Sequence, residues 1–369
     1  MNASRTSVAA GPVDVEEYLR TVVENDASDL HLKVGEPPVI RVDGALRRTE
    51  FPVLTESDTE RLTAELMTEK ARREFAENGE ADFAYNSEHT GRFRCNVYRQ
   101  RGKVGAALRR VFAGSANFEE LHLPHAVQRL AEEHRGLILV TGMTGSGKTA
   151  TTGAMIDYIN RSRASHIITI EDPIEILHTD AMSLVNQREI GLDTSDFLQA
   201  LKRAMRQDPD VIFIGEVRDE ETAKAAITAA ETGHLVISTL HTIDAQETIT
   251  RIIELFPPHQ QNQIRISLAG SLRGIISQRL LVRSDGHGRV PAVEVLVMNG
   301  RLHDMITDPE ETHGIYDVIA ESGYYGMQTF EQSLLGLLQS GYVTLEECLA
   351  TSQRPHDFQI MARQAGLEV

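Results

Sequence analysis

Cysteine, tryptophan and long apolar runs are scarce in this sequence. The 369-residue chain has two cysteines, Cys95 and Cys348, and no tryptophan. Two cysteines without a CxxC pair exclude a four-cysteine zinc ribbon and are typical of a reducing compartment without structural disulfides. No apolar run approaches the ~20 residues of a membrane helix, and the opening MNASRTSVAAGPV lacks the apolar centre of a signal peptide. We therefore expect a cytoplasmic protein that associates with a membrane only through partners.

Positive charge is also in short supply. There are 37 Lys and Arg residues against 54 Asp and Glu residues, which gives a formal net charge of −17. Because binding to a nucleic-acid backbone depends on Lys and Arg neutralising phosphates, we expect no direct nucleic-acid contact. The hydrophobic fraction of 41% and the charged fraction of 25% are ordinary for a globular protein. The length leaves room for two domains or more.

The first part of the chain predicts a small α+β domain over residues 13–111. Apolar residues recur there first at helical spacing and then in alternation, and Asp43-Gly44 is a hairpin turn signal. The predicted elements are a disordered tail at 1–12, a helix at 15–23, strands at 30–34 and 39–42, one charged surface helix at 56–79, and two strands within 91–111.

A change of pattern follows the segment 112–122, which is rich in small residues and is predicted to be an interdomain linker. Four near-continuous apolar runs (GLILV, HIITI, VIFIG and HLVIST) alternate with helical patterns over residues 123–295. Such runs are typical of strands buried on both faces of a mostly parallel sheet. Residues 296–369 read as a helical C-terminal region. The predicted fold class is therefore α/β.

The stretch GMTGSGKT, from Gly142 to Thr149, satisfies the pattern GxxxxGK[ST]. Glycines let successive backbone N–H groups point at phosphate oxygens, and the dipole of the helix that follows favours the same negative charge. The lysine of such a loop reaches the β and γ phosphates, and the hydroxyl after it ligates Mg²⁺. The predicted nucleotide-binding residues are Gly142, Thr144, Gly145, Ser146, Gly147, Lys148, Thr149 and Ala150.

Acidic residues and histidines follow the other apolar runs. Glu216 in VIFIGEVRD stands just past a predicted strand, where a carboxylate can hold Mg²⁺ through water. Glu171, Asp172 and Glu175 crowd the end of another run, and such crowding is typical of a cation site or a general base as well as of a solvated loop. The residues alone do not choose among these three acids. His241 in GHLVISTLHT, like His234 before the run, is either a γ-phosphate contact or a structural histidine.

Together the four stretches resemble the boxes of the ring-shaped secretion ATPases. GMTGSGKT resembles their Walker A box, IEDPIE their Asp box, VIFIGEVRD their Walker B box and TGHLVISTLHT their His box, in the same order. SDLHLKVGEPPVIRVDG resembles the start of their N-terminal domain, and GMQTFEQSLLGLL the helical tail of the PilT-type (PilT/PilU) branch, the type IV pilus retraction ATPases. The resemblance implies an N-terminal PAS-like domain, a RecA-like P-loop ATPase core and a helical C-terminal region.

The resemblance also implies roles at matching positions. Lys148 and Thr149 would bind ATP and Mg²⁺, and Glu216 would lie on the Mg²⁺ side. Glu175 would polarise the attacking water, and His241 would contact the γ-phosphate region.

Two arginines and one departure complete these expectations. Arg94 and Arg109 would be interdomain arginines that reach a nucleotide within the ring. The retraction branch typically carries an Ala-Ile-Arg type motif where this chain reads Arg301-Leu302-His303. That difference leaves both a principal retraction motor and an accessory, PilU-like motor open.

The implied assembly is a homohexamer at the cytoplasmic face of the inner membrane. Its implied partners are an inner-membrane pilus platform protein and a paralogous pilus ATPase. Assembly ATPases usually carry a longer N-terminal region and a four-cysteine metal loop, and neither is present in this sequence, which favours retraction. The alternatives are a DNA-transfer, competence or assembly ATPase of the same superfamily, and an adaptor that binds nucleotide with little hydrolysis.

Overall fold

A computed structural model describes residues 14–42 and 44–367 of the chain. Contacts between Cα atoms divide the chain into two compact units, with the boundary between Ala113 and Gly114. The predicted tail at 1–12 and Asp43 of the predicted turn lie outside the described residues. The domain boundaries given above remain predictions.

The first unit is an antiparallel sheet with helices. Its strands lie in the order β3-β2-β1-β6-β5-β4. The elements are α1 (Val15–Glu24), β1 (Asp29–Leu32), β2 (Val39–Val42), β3 (Ala45–Arg48), α2 (Glu56–Leu66), α3 (Glu69–Asn78), β4 (Glu80–Ser87), β5 (Gly91–Gln100) and β6 (Lys103–Ala113).

Apolar and polar residues alternate along β5, and the apolar ones face the core. Phe93, Cys95 and Val97 are buried in the core of the first unit, as their period-2 spacing requires of one strand face. The predicted helix near residue 15 and the strand at Val39–Val42 are also present.

The prediction of a single helix over residues 56–79 is wrong, because the chain forms two helices there. Helix α2 ends at Leu66, and Met67 takes an extended conformation. The Thr68 side chain then accepts a hydrogen bond from the Ala71 N–H at 3.2 Å and begins α3. A threonine that satisfies the first free N–H groups of a helix favours a new start over a continued helix.

The second unit is built on a seven-stranded sheet in the order β10-β8-β11-β12-β7-β13-β14. The first six are parallel to their neighbours, and β14 pairs antiparallel with β13. The elements up to the last strand are α4 (His125–Ala131), β7 (Gly136–Thr141), α5 (Lys148–Ser162), β8 (His166–Glu171), β9 (Ile176–Leu177), β10 (Leu184–Glu189), α6 (Phe197–Ala204), β11 (Val211–Ile214), α7 (Glu220–Glu231), β12 (Leu235–Leu240), α8 (Ala245–Glu254), α9 (Pro258–Ser271), β13 (Leu272–Val282) and β14 (Arg289–Val297).

Both faces of this sheet are buried, which explains the apolar runs. Leu137 and Leu139 of β7 pack with α6 to α9 on one face, whereas Ile138 and Val140 pack with α4 and α5 on the other. The four runs read from the sequence are the four central parallel strands β7, β8, β11 and β12, so the predicted mostly parallel sheet is confirmed.

After β14 the chain is helical. The remaining elements are α10 (Gly300–Thr307), a 3₁₀ turn (Thr312–Gly314), α11 (Ile315–Glu321), a second 3₁₀ turn (Gly323–Tyr325), α12 (Phe330–Gln339), α13 (Leu345–Thr351) and α14 (Pro355–Gln364). A separate apolar cluster that includes Phe330, Cys348 and Phe358 packs α12 to α14 against the ends of β13 and β14. Among the described residues, none of the helices combines the length and apolar character that crossing a bilayer requires.

Candidate nucleotide-binding site

The glycine-rich loop joins β7 to α5. Gly142, Gly145 and Gly147 have φ values of 144°, 80° and 93°, which side-chain-bearing residues rarely adopt. At Gly142 a Cβ atom would also collide with Ser146 Oγ and would lie 2.5 Å from the carbonyl oxygen of Gln278. The loop is therefore closely packed at its start, where only glycine fits.

Lys148 is the first residue of α5 and folds back over the loop. Its Nζ donates hydrogen bonds to the carbonyl oxygens of Gly142, at 2.5 Å, and Met143, at 3.2 Å. Burial lowers the pKa of Lys148, while the nearby Glu216 and Glu175 act in the opposite direction. The half-buried ammonium of Lys148 therefore supplies positive charge over the loop, where it can bind a phosphate group.

The structure gives the acids of IEDPIE different surroundings. Glu171 is the last residue of β8, and its Oε1 accepts hydrogen bonds from Thr169 Oγ1 at 2.6 Å and Gln187 Nε2 at 3.1 Å. Burial raises the pKa of Glu171. Glu175 instead accepts a hydrogen bond from the hydroxyl of Thr149 at 2.6 Å. Of these two acids, Glu175 is therefore the one hydrogen-bonded to the phosphate-loop residue Thr149.

Glu216 stands two residues after β11, as its position in the sequence predicts. Its Oε1 pairs with Arg218, and its Oε2 lies 3.6 Å from His241 Nε2. The hydroxyl of Thr239 donates to the Gly215 carbonyl oxygen at 2.6 Å and joins the ends of β12 and β11. Because β8, β11 and β12 are parallel neighbours, their carboxyl ends bring these groups to the same edge.

One cleft of about 610 Å³ is lined by ten of the thirteen predicted site residues. Every residue from Thr144 to Ala150 lines it, together with Glu175, Glu216 and His241. Gly142 is not among the lining residues and lies at the packed start of the loop. The other lining residues are Thr152, Gly153, Ile156, Glu171, Asp172, Pro173, Ile176, His178, Phe197, Phe213, Gly215, Thr239, Leu280 and Arg289.

The two predicted arginines belong to the first unit, whereas every lining residue of the cleft belongs to the second. Arg94 on β5 and Arg109 on β6 face each other as Cα partners. Arg109 Nε donates to Asp29 Oδ1 at 2.9 Å. Burial raises the pKa of Asp29, but hydrogen bonds from Ser28 and Arg109 outweigh it, so that pKa lies below its ordinary value.

Two arginines at this site, Arg218 and Arg289 of the second unit, were not predicted from the sequence. Arg218 stands in VIFIGEVRD, and its position two residues after Glu216 is a usable signal for the ion pair. Arg289 begins β14, a strand that the apolar pattern did not indicate, and it lines the cleft.

Comparisons with known proteins agree with this geometry. A model of the type II/IV secretion system protein family matches residues 8–350. The chain is 41% identical over 346 residues to the type IV pilus retraction ATPase PilT of Pseudomonas aeruginosa, covering 94% of this chain and 100% of that protein. It is 40% identical over 351 residues to the type IV pilus ATPase PilU of the same species, covering 95% and 92%.

A solved structure has the same fold over almost the whole chain. The crystal structure of the pilus retraction motor PilT with bound ADP matches with a TM-score of 0.88 and 46% sequence identity, covering 95% of this chain and 100% of that one. The resemblance inferred from the four boxes is confirmed, and so is the expected combination of an N-terminal domain with a P-loop ATPase domain. The chain therefore belongs to the type II/IV secretion system protein family, as a PilT-type ATPase.

Proposed function

We propose that this protein is an ATP-hydrolysing motor of a type IV pilus system that drives pilus retraction and twitching motility. The single observation that carries the proposal is the full-length match to a pilus retraction ATPase, at 41% identity. A shared cleft supports it, because Lys148, Glu175, Glu216 and His241 all line the same space.

ATP binds at the glycine-rich loop. The backbone of residues 142–147 and the ammonium of Lys148 hold the phosphates, with the dipole of the 15-residue helix α5 aligned to the same charge. Binding moves the ammonium of Lys148 from two loop carbonyl oxygens to phosphate oxygens, which carry more negative charge.

The residues present fit Mg²⁺ bound together with the nucleotide. Among the described residues, no cluster of three or more His, Cys, Asp or Glu side chains forms a metal cage. Mg²⁺ on a nucleotide needs no such cage, since it is held by one or two protein oxygens, waters and the phosphates. The hydroxyl of Thr149 and the carboxylate of Glu216 would be its protein ligands, the latter directly or through water. When bound, the ion neutralises charge on the β and γ phosphates.

Glu175 is the general base of the proposed mechanism. Its carboxylate lies 2.6 Å from the Thr149 hydroxyl, so it stands beside the residue expected nearest the metal. A carboxylate there orients a water molecule for attack on the γ phosphate and accepts its proton. Glu171 is less suited, because burial raises its pKa and two donors already occupy its Oε1.

Glu216 and His241 form the other side of the reaction centre. Arg218 holds the Glu216 carboxylate in place, and the His241 ring lies 3.6 Å from the same group. A γ phosphate in this corner would meet the His241 ring, which gives the loop after β12 a means of sensing whether the phosphate is present.

The working assembly is a homohexameric ring at the cytoplasmic face of the inner membrane. It associates with the membrane through a platform protein of the pilus machinery and cooperates with a paralogous pilus ATPase. Arg94 and Arg109 supply positive charge to a nucleotide in this ring. Their pairing on adjacent strands supports a joint role.

Biochemical and genetic tests separate this function from its alternatives. Purified wild-type protein should release phosphate from ATP in the presence of Mg²⁺, and Lys148→Ala should abolish most of that release while circular dichroism stays unchanged. An adaptor would bind nucleotide with negligible turnover. Deletion in the native host should abolish twitching and increase the number of surface pili. Loss of DNA uptake with normal twitching would favour a competence ATPase, and loss of pili an assembly ATPase.

The same deletion addresses the Arg301-Leu302-His303 departure. In the structure Leu302 is buried, and Arg301 forms an ion pair with Glu321 at 3.0 Å. If this protein is a principal motor, its deletion alone should abolish retraction. If it is an accessory motor, its deletion should reduce retraction only in a strain whose paralogous pilus ATPase has lowered activity. Introducing Ala-Ile-Arg at these positions and scoring twitching then measures what the departure contributes.

A further inference from the structure

A cation outside the four boxes faces the nucleotide cleft. Arg289 lines the same space as Lys148 and Glu216. Within residues 14–42 and 44–367 its guanidinium makes no hydrogen bond and no ion pair. Other arginines nearby are occupied: Arg218 pairs with Glu216, and Arg283 of the same hairpin pairs with Asp285 at 2.7 Å.

The strand register shows which way Arg289 points. Leu280 of β13 lies opposite Pro291 of β14, and Val282 lies opposite Arg289. Residues that face each other across a ladder, and residues two apart on one strand, share a face of the sheet. Arg289 therefore lies on the same face of the sheet as Leu280. Leu280 packs against the phosphate loop, since a Cβ atom built on Gly147 would lie 3.6 Å from Leu280 Cδ1.

Burial on the opposite face agrees with this direction. Leu281 and Val290 alternate with Leu280 and Arg289, and both are fully buried in the cluster of the C-terminal helices. Diagonal neighbours across an antiparallel pair are roughly 7–8 Å apart, so an extended arginine at 289 reaches the region above Leu280 and the loop.

The strand order shows which end of the nucleotide Arg289 meets. The loop follows β7, and β12, β11 and β8 lie on one side of β7 with His241, Glu216 and Glu175 after them. β13 and β14 lie on the other side. If the γ phosphate and metal occupy the acidic side, the α phosphate and ribose extend toward the hairpin that carries Arg289.

We propose that Arg289 binds the α phosphate of the nucleotide from within its own subunit. This inference rests on the nucleotide site proposed above and adds a substrate-contacting residue to it. Four carboxylates line the cleft, those of Glu171, Asp172, Glu175 and Glu216, and the lining cations are Lys148 and Arg289. The four carboxylates repel the phosphates of a nucleotide, and the unpaired guanidinium of Arg289 supplies positive charge that offsets this repulsion.

An α-phosphate contact makes a specific kinetic prediction. The α phosphate is present in ATP and ADP and does not react, so its contact contributes equally to ground and transition states. Loss of such uniform binding raises KM and leaves kcat nearly unchanged. A hydrogen bond to a charged group is typically worth a factor of roughly 10 to 100 in affinity.

The experiment measures the affinity of the full chain for ADP and for a non-hydrolysable ATP analogue by titration calorimetry. Arg289→Ala and Arg289→Gln should weaken both ligands by the same factor, roughly 10 to 100, and should raise KM with kcat retained. Arg283→Ala removes a guanidinium from the same hairpin and should bind both ligands like the wild type. Arg289→Gln keeps most of the side-chain length, so agreement of the two variants excludes a local folding defect.

Lys148→Ala distinguishes failure of the inference from failure of the proposed function. If Lys148→Ala loses affinity but both Arg289 variants bind like the wild type, the inference is wrong and the nucleotide site stands. If Lys148→Ala also binds normally, the nucleotide site itself is wrong. A loss confined to the ATP analogue would place Arg289 at the γ phosphate and overturn the assignment to the α phosphate.

Discussion

Glu171 and Glu175 stand four residues apart in one acidic stretch, yet their surroundings differ. The first is buried at a strand end with its Oε1 shared by two donors, and the second accepts a hydrogen bond from the loop residue Thr149. A general base needs a free lone pair and a reachable proton. At the scale of single residues, hydrogen-bond partners therefore distinguish acids that residue type and spacing alone leave equivalent.

Glu175→Gln and Glu216→Gln should fail in different ways. An amide at 175 accepts protons poorly, so ATP should bind normally while turnover falls by roughly 10²–10⁴ at every Mg²⁺ concentration. An amide at 216 weakens metal binding, so its turnover should recover partly as Mg²⁺ rises. Phosphate release measured across a Mg²⁺ titration tests both. Equal metal dependence of the two variants would show that the roles are assigned wrongly.

At the scale of elements, the phosphate loop depends on contacts made by β13. Gly142→Ala would place a methyl group against Ser146 Oγ and the Gln278 carbonyl oxygen at an unfavourable φ. Gly145→Ala meets the same kind of backbone strain, but nothing lies within 4 Å of its Cβ position. We expect Gly142→Ala to lower the free energy of unfolding by about 1–3 kcal/mol more than Gly145→Ala.

Chemical denaturation of the two alanine variants measures this difference. The comparison cancels much of the cost that any side chain has at a positive φ, so the remaining difference reports the collisions with Ser146 and with the Gln278 carbonyl oxygen of β13. Equal unfolding midpoints would mean that the loop and β13 move apart easily, and that the close packing at Gly142 contributes little.

Glu294 of β14 makes the second unit sensitive to pH. It is 3% exposed and accepts a hydrogen bond from the Ala245 N–H at the start of α8, at 2.8 Å. Burial raises its pKa from 4.5 to about 8, with the hydrogen bond acting in the opposite direction. The folded state therefore keeps a proton that the unfolded state has lost between those pH values, and stability falls as pH rises through that window.

Glu294→Gln should remove this pH dependence. The amide oxygen still accepts the Ala245 hydrogen bond but carries no proton to lose. From about pH 4.5 to about pH 8, the variant should gain stability over the wild type by at most about 1.4 kcal/mol per pH unit. Urea unfolding at several pH values measures the difference, with the exposed Glu254→Gln as control. A constant difference would mean that Glu294 ionises alike in both states.

At the scale of the whole molecule, the predicted site residues belong to two units. The loop, acids and histidine lie in the second unit, and Arg94 and Arg109 lie in the first. The Arg109 side chain is 67% exposed, whereas its partner Asp29 is only 10% exposed. The Asp29 carboxylate also accepts a hydrogen bond from Ser28 at 2.7 Å and lies 3.7 Å from Arg41, so it keeps two partners when Arg109 leaves. An exposed arginine whose partner stays hydrogen-bonded can exchange Asp29 for a phosphate, which suits an arginine that acts on a neighbouring subunit of a ring.

A mixing experiment tests that role. Arg109→Ala keeps an intact loop, and Lys148→Ala keeps an intact arginine, so each variant alone should be nearly inactive. Arginines that act in trans elsewhere contribute up to ~10³–10⁵ in rate. In co-assembled rings some interfaces combine an intact loop with a neighbour's intact arginine, and phosphate release should exceed the sum of the separate variants.

Tagged pull-down must first establish that mixed rings form. If they form and show no rescue, Arg109 acts within its own subunit or does not act on the nucleotide. Arg94→Ala mixed with Lys148→Ala provides the same test for its neighbour on β5.

The sequence by itself determined the features that depend on local order along the chain. Strands buried on both faces must be continuously apolar, so the apolar runs in the sequence predicted β7, β8, β11 and β12. The phosphate loop could be predicted because its glycines, Lys148 and Thr149 are close together in the chain. The family resemblance followed from this stretch and the three other boxes.

Only the tertiary structure decided the features that depend on residues far apart in sequence. The hydrogen bond from Thr149 to Glu175 ties one acid of IEDPIE to the phosphate loop and supports the role that the family resemblance implied for it, and no spacing rule predicts that contact. The break at Met67 came from a cap at Thr68 that competes with helix continuation. Arg289 faces the cleft because β13 lies beside β7 and pairs with β14, so its role is set by strand order and register, which local periodicity does not encode.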